Sequence, residues 1–384
     1  MARVRQVPIN PDVLKWAIQT SGLGDREVAS RLKVDTETLQ EWLSGPAQPK
    51  ISEFRSLAKI LHRPSATFFL PCPPQQSHAE VQFRQLPGAS PRELLPEERT
   101  SIREGEHLQR TVRWLQQELG DPGAQLPQVA IGTDAERAAA IAREFLGVST
   151  EAQSMWSSNF AALREWRNAF EESGILVFLM AMGAKSARGF SIWDDTAPVI
   201  TVNTHWNAAA RIYTLFHELG HLLTRTNSIC ANYSIGRSSS SSSSEIERWC
   251  EQFGAAALMP KDAVKKALDD FRVVTHAPVT DLDIPRRLAG RFHVSVRAAT
   301  LRLIGLQRAT WSLYRKIPVI SDSKSGGGGG KGRTRAVARV DRYGRRATEL
   351  FLRGLKRDVI NAADVMHYFS VSYPEISQLE MLAS

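Results

Sequence analysis

The feature that most constrains this chain is the run Arg211-Ile-Tyr-Thr-Leu-Phe-His217-Glu218-Leu-Gly-His221-Leu-Leu223. It contains no proline and is apolar nearly throughout, so it reads as a helix. Residues four apart stack on one helical face, which lets the imidazoles of His217 and His221 converge on one metal ion. Glu218 lies one residue round from His217, beside that point, placed to take a proton from a water there. Thr214, Leu215, Phe216, Leu219, Gly220, Leu222 and Leu223 are all uncharged. A histidine pair on a solvated helix would have charged neighbours, so this helix demands cover from a sheet and from other helices.

The residues before the run supply the sheet. Gly174 to Met182 is a continuous apolar stretch, and Gly189 to Trp193 and Ala197 to Asn203 are two more, separated by a turn at Asp194-Asp195. Ahead of them, Thr133 to Leu146 and Trp156 to Ser173 carry helical periodicity. Helix, three strands and a His-Glu-x-x-His helix form the minimal order of a zincin fold. The strand Val199 to Asn203, if it lay at the sheet edge, could pair with an extended peptide.

Two imidazoles hold zinc poorly, and a catalytic site takes a third protein ligand with a position left open for water. The next strong helix follows Arg237 and the serine tract 238 to 244, which reads as a flexible loop. It begins at Glu245 and presents Ile246, Trp249, Cys250, Phe253 and Ala257 as an apolar face. Glu247 and Glu251 share another face. One of them can bind the metal while the other accepts the free ring N–H of a zinc histidine. Cys250 is a softer candidate ligand, although its neighbours mark it as core.

Gly189-Phe, Pro198-Val-Ile-Thr-Val-Asn203, the His217–His221 run, Glu247-Arg-Trp-Cys-x-x-Phe253 and Leu258-Met-Pro260 together resemble the ImmA/IrrE-type metallopeptidases. The resemblance covers about residues 174 to 310. It implies Zn2+ held by His217, His221 and Glu247, with Glu218 as the general base of peptide hydrolysis. The family commonly has Asn where this chain has Glu251, which the resemblance places behind the ligands. Tyr213, His205 and Arg211 lie near enough in sequence to be considered as oxyanion donors. Proteins of this kind cleave regulatory DNA-binding proteins, and some act as regulators without observed proteolysis.

The first seventy residues read as a compact helical domain. Asn10-Pro11 opens a helix that Gly22 ends, Asp25 can cap a second, Thr36 to Ser44 forms a third and Ser52 to Leu61 a fourth. Glu27-Val-Ala-Ser-Arg-Leu-Lys-Val with Leu39-Gln-Glu-Trp-Leu-Ser-Gly45 resembles the Cro/repressor-type helix-turn-helix family. That resemblance implies DNA binding with Thr36 to Glu41 facing the groove; Thr36, Thr38 and Gln40 could read base edges, and Arg26, Lys33, Lys50 and Arg55 could hold phosphates. Asp35, Glu37 and Glu41 make the same helix acidic, which works against phosphate contact.

The expected fold class is therefore α+β and mostly helical. An all-α helix-turn-helix domain spans 1–72, a linker with bracing helices 73–150, and a zincin-like metallopeptidase domain 151–310. A small helical C-terminal module occupies 333–384. The segment Pro285 to Leu303 repeats a helix-turn-helix rhythm and is read as packing, with His276 and His293 as ordinary surface or core residues. Ser321 to Gly332, with its run of glycines, is a flexible linker, and a basic helix from about Arg335 to Leu355 follows it. The chain's 384 residues carry a net charge of +9, which permits nucleic-acid contact. Three scattered cysteines, no apolar leader and no apolar run long enough for a bilayer predict a reducing cytoplasm and no membrane. The expected partners are a protein substrate such as a repressor, DNA, and a second copy of the chain as a homodimer. The rival expectation is a DNA-binding regulator or antitoxin-like protein whose zincin domain senses or binds without cutting.

Overall fold

Asn10 begins the helical part of the chain by accepting the backbone N–H groups of Asp12 and Val13 with its side chain. A computed structural model describes residues 6–74, 94–226, 228–230, 242–273, 278–318 and 334–383. The serine tract up to residue 241, the glycine-rich linker and His276 lie outside these residues, as do Pro87 and Pro91. The described residues are mostly helical, with one small sheet, and fall into two compact units. The first ends at Glu104 and the second begins at Gly105.

The first unit contains α1 (Pro11–Ser21), α2 (Asp25–Leu32), α3 (Thr36–Ser44) and α4 (Ile51–Ile60), then a 3-10 turn at Ser65–Phe69. Its core gathers Leu14, Val28, Leu39, Trp42, Leu57 and Phe68, all at most 2% exposed. Lys33 ends α2 in the left-handed region, at φ 61°, and turns the chain into α3. Asp25 does not cap α2. Gly24 occupies the cap position, and Asp25 Oδ2 instead accepts the side-chain amide of Gln40. α5 (Pro96–Leu119) divides its residues between the two units, and its Ile102, Leu108, Val112 and Leu115 are buried.

The second unit continues with α6 (Ala135–Leu146), the short α7 (Thr150–Met155) and α8 (Asn159–Glu172). The predicted helix from Trp156 begins later because Ser158 caps it, its hydroxyl accepting Ala161 N–H. β1 (Leu176–Met180), β2 (Gly189–Ile192) and β3 (Val199–Asn203) follow, then α9 (Ala208–Leu223) and β4 (Ser228–Cys230). The sheet order is β1-β3-β2-β4, with β1 parallel to β3 and the other two pairings antiparallel. β3 is therefore interior, bonded on both sides, and the edge pairing envisaged for Val199–Asn203 does not hold. Asp194 shapes the β2–β3 turn by accepting Thr196 and Ala197 N–H.

α10 (Ser242–Leu258) starts earlier than its sequence pattern predicts, inside the serine tract, and is followed by α11 (Lys261–Asp270), α12 (Asp283–Phe292), α13 (Val296–Gly305) and α14 (Trp311–Arg315). Leu288, Phe292, Ala299 and Leu303 of α12 and α13 sit in the same core as α9, in line with a packing role. The C-terminal helices are α15 (Arg335–Tyr343), α16 (Arg345–Lys356), α17 (Ala362–Phe369) and α18 (Tyr373–Ala383). The predicted single basic helix is broken at Gly344, whose φ of 86° lies outside the helical region. Buried Glu171 caps the new start by accepting the N–H groups of Arg345 and Arg346, while also binding Arg167. No helix among the described residues is long and apolar enough to cross a membrane.

Candidate metal centre

α9 is buried along nearly its whole length, with His217 at 3%, His221 at 2% and Glu218 at 0% exposure. Asn207 caps its start by accepting Ala210 N–H, and aromatic residues of α8 hold its back: Trp166 and Phe170 meet the Phe216 ring edge to face. On the opposite side β2 crosses close to Glu218. A Cβ at Gly189 would stand 2.6 Å from both Thr201 O and Thr214 Cγ2, and 3.7 Å from Glu218 Cγ. Only glycine lets the strand approach Glu218 this closely.

α10 packs along α9 with Gly220 facing Cys250 and Phe253, a small residue at the point of closest approach. This brings Glu247 onto the two histidines. His217 Nε2 and His221 Nε2 are 3.2 Å apart, and the Glu247 carboxylate oxygens lie 3.2 Å from the first and 3.4 Å from the second. Ligand atoms on a tetrahedral zinc ion at about 2.0–2.1 Å stand about 3.3 Å from one another, so the spacing of the two imidazole nitrogens, and of each from its nearer Glu247 oxygen, is of the size that zinc ligands show. These three residues form the metal-capable group among the described residues.

The electrostatics agree. Burial works against an imidazolium at His221, yet the sulfur of Cys250 and the Glu247 carboxylate outweigh it and raise the pKa to about 10. Burial pushes the Glu247 carboxyl up, but hydrogen bonds from His217 and His221 hold it well below the ordinary carboxylate range. The Glu247 carboxylate and the imidazoles thus stabilise one another's charged forms. Burial raises Glu251, with His217 opposing and Glu247 adding to the rise. Glu251 thus feels the site electrostatically while the cluster itself is completed by Glu247.

The axial position of α10 is set at its far end. Arg143 Nη1 donates to Ala257 O at 2.8 Å, Gln153 Nε2 to Leu258 O at 3.0 Å, and Arg302 Nε to Met259 O at 2.8 Å. Carbonyls at a helix C-terminus lack partners within the helix, and here three successive ones are taken by buried side chains. Closer to the site, Tyr213 OH donates to Glu251 O. Arg211 is spent on Trp206 O and Thr204 O, and His205 packs edge-on against Trp206. Sequence spacing did not single out Arg143, Gln153 or Arg302, because their partners lie far along the chain.

In the first unit Lys33, Thr36 and Gln40 are exposed and Thr38 is half-buried. Gln40 is already bonded to Asp25, so part of its amide is occupied. Asp35, Glu37 and Glu41 are exposed on the same segment.

Residues 170–303 match the Peptidase_M78 family model, described as the IrrE N-terminal-like domain. The match takes in β1 to β4, both histidines, Glu218 and Glu247, and supports a peptidase-type domain in the ImmA/IrrE family over that segment. No curated protein matches the chain.

Proposed function

We propose that this protein is a zinc-dependent endopeptidase whose N-terminal helical unit binds DNA, and that it acts in the cytoplasm as a regulator of gene expression by cutting a regulatory protein. The carrying observation is the His217–His221–Glu247 cluster with fully buried Glu218 beside it, inside a segment that matches a peptidase family. Zinc held by these three residues would lower the pKa of a water towards neutrality and polarise the scissile carbonyl. Glu218 accepts the proton of the attacking water and delivers it to the departing amine nitrogen. Burial of Glu218 under β2 confines its carboxylate to the site, so that the proton returns to substrate rather than to bulk solvent. Glu251 supports the site as a neighbouring acid behind the ligands.

Glu218→Gln tests the peptidase reading. The variant should keep its zinc, since all three ligand residues remain, and lose activity by about 10²–10⁴-fold. Comparing the proteomes of cells carrying the wild type and this variant would identify the substrate. Cleavage that survives in the variant refutes Glu218 as the base. DNA binding is supported by the short α2–α3 connection and by exposed Thr36, Gln40 and Lys33. Replacing Thr36 and Gln40 by Ala should weaken retention of a selected DNA site in a gel shift by about 1–3 kcal/mol per lost base contact. Undiminished binding refutes that assignment.

A further inference from the structure

We propose that Thr226 is a positioning residue for the metal centre, its hydroxyl fixing the ring of His221 so that Nε2 is the ligand atom. The inference rests on the metallopeptidase reading above. Thr226 Oγ1 lies 3.2 Å from His221 Nδ1, the ring nitrogen that faces away from His217 and Glu247. A histidine that offers Nε2 to a metal carries its proton on Nδ1, and that proton needs an acceptor. The hydroxyl oxygen of Thr226 is that acceptor. Its own proton has other places to go, because His221 O lies 3.1 Å away and Thr224 Oγ1 also 3.1 Å away. The hydroxyl can therefore receive from the ring and donate to the backbone of the same residue, clamping His221 at two points.

The turn after α9 is built to bring Thr226 there. Thr224 ends the helix, and Arg225 adopts φ 60°, a left-handed conformation that glycine usually supplies. This folds the chain back so that Thr226 N–H reaches His221 O at 2.9 Å. Arg225 is secured in that conformation by its own side chain. Its guanidinium lies 3.7 Å above the Trp193 ring centroid and donates to Leu126 O at 3.2 Å. Ordinary capping of the helix would need only the backbone N–H of residue 226. The side-chain hydroxyl aimed at His221 Nδ1 is additional, and it is the part that bears on the metal.

Zinc alone, added to the full-length protein in competition with a chromophoric chelator, tests the assignment. Thr226→Val keeps the shape and the capping N–H but removes the hydroxyl, and should weaken zinc affinity about 10–100-fold. Thr226→Ser should return it close to the wild-type value. Undiminished affinity in the valine variant overturns the inference, and so does a loss that serine fails to recover, because that pattern reports packing. Nitrogen-15 NMR of the zinc-loaded wild type reads the tautomer without any variant: Nδ1 of His221 should be protonated and Nε2 metallated, and the reverse arrangement overturns the inference. A wild-type protein that takes up no zinc overturns the metallopeptidase reading and this inference with it. Zinc affinity at the wild-type level in Thr226→Val, with zinc bound by the wild type, overturns this inference alone.

Discussion

A single methyl group at Gly189 measures how tightly β2 and α9 are fitted around Glu218. In Gly189→Ala the new Cβ would sit 2.6 Å from a backbone oxygen of β3 and 2.6 Å from the methyl of Thr214. Ordinary carbon contacts lie at about 3.5–4.0 Å, so something must move by close to an ångström. Thr201 O belongs to the interior strand and is held in the ladder with β2, which leaves little freedom on that side. Thr214 is 2% exposed and bonds to Ala210 O within its own helix, so it cannot turn away cheaply. Overpacking of this kind costs about 1–3 kcal/mol. For a domain of this size that is a fall in Tm of roughly 2–12 °C. The strand should relax away from α9, and Glu218 should lose its exact seat beside the cluster. Misplacement of a catalytic group by about 1 Å can cost on the order of 100-fold in rate. The assay pairs thermal unfolding with kcat/KM and zinc content. Zinc content should stay at the wild-type level, since the atoms nearest the new methyl belong to Thr201, Thr214 and Glu218 and not to His217, His221 or Glu247. A variant with wild-type Tm and wild-type activity would refute the reasoning.

The other predictions concern the ligand choice and a remote cap. Glu247→Gln should weaken zinc binding far more than Glu251→Gln in the same chelator competition, because only Glu247 reaches both imidazoles; the opposite order would exchange their roles. Glu171→Ala should destabilise the protein by about 3–5 kcal/mol, since it removes the carboxylate that pairs with largely buried Arg167, which is left with its bonds to Asp341 O and Val177 O, and the cap of α16 together. Urea unfolding followed by tryptophan fluorescence would read this, and a loss below about 1 kcal/mol, the scale of an exposed pair, would contradict it.

The parts of the second unit legible in the sequence were those whose signal is local. The α9 helix announced itself through the spacing of His217 and His221 within an apolar run. β1, β2 and β3 did so because strands buried on both faces read as continuous apolar stretches. β4 did not, since three residues carry no period and the strand exists through its pairing with β2. The break at Gly344 was hidden for a related reason: a lone glycine in a basic helical pattern is common, and what ends the helix here is a cap from Glu171, far back in the chain. Glu247 and Glu251 were equivalent as an i, i+4 pair, and the crossing of α10 over α9 distinguishes them. Thr226 and Gly189 passed unnoticed as site residues because their importance lies in a 3.2 Å contact and a missing methyl, neither of which has a pattern.

Arg143, Gln153 and Arg302 grip the end of α10 about ten residues beyond Glu247, and this has a bearing on how variation in such a protein would be interpreted. Glu247 rides on the same helix as those carbonyls, so releasing them would loosen the anchor that holds the ligand in place along the helix axis. A substitution at Arg143 would then present in the laboratory as a protein that folds but binds zinc poorly, indistinguishable at first sight from damage to a ligand. Sites of natural variation, or of selected loss of function, need not cluster around the histidines: they should include an alanine-rich helix that a reader of the sequence would have passed over as filler.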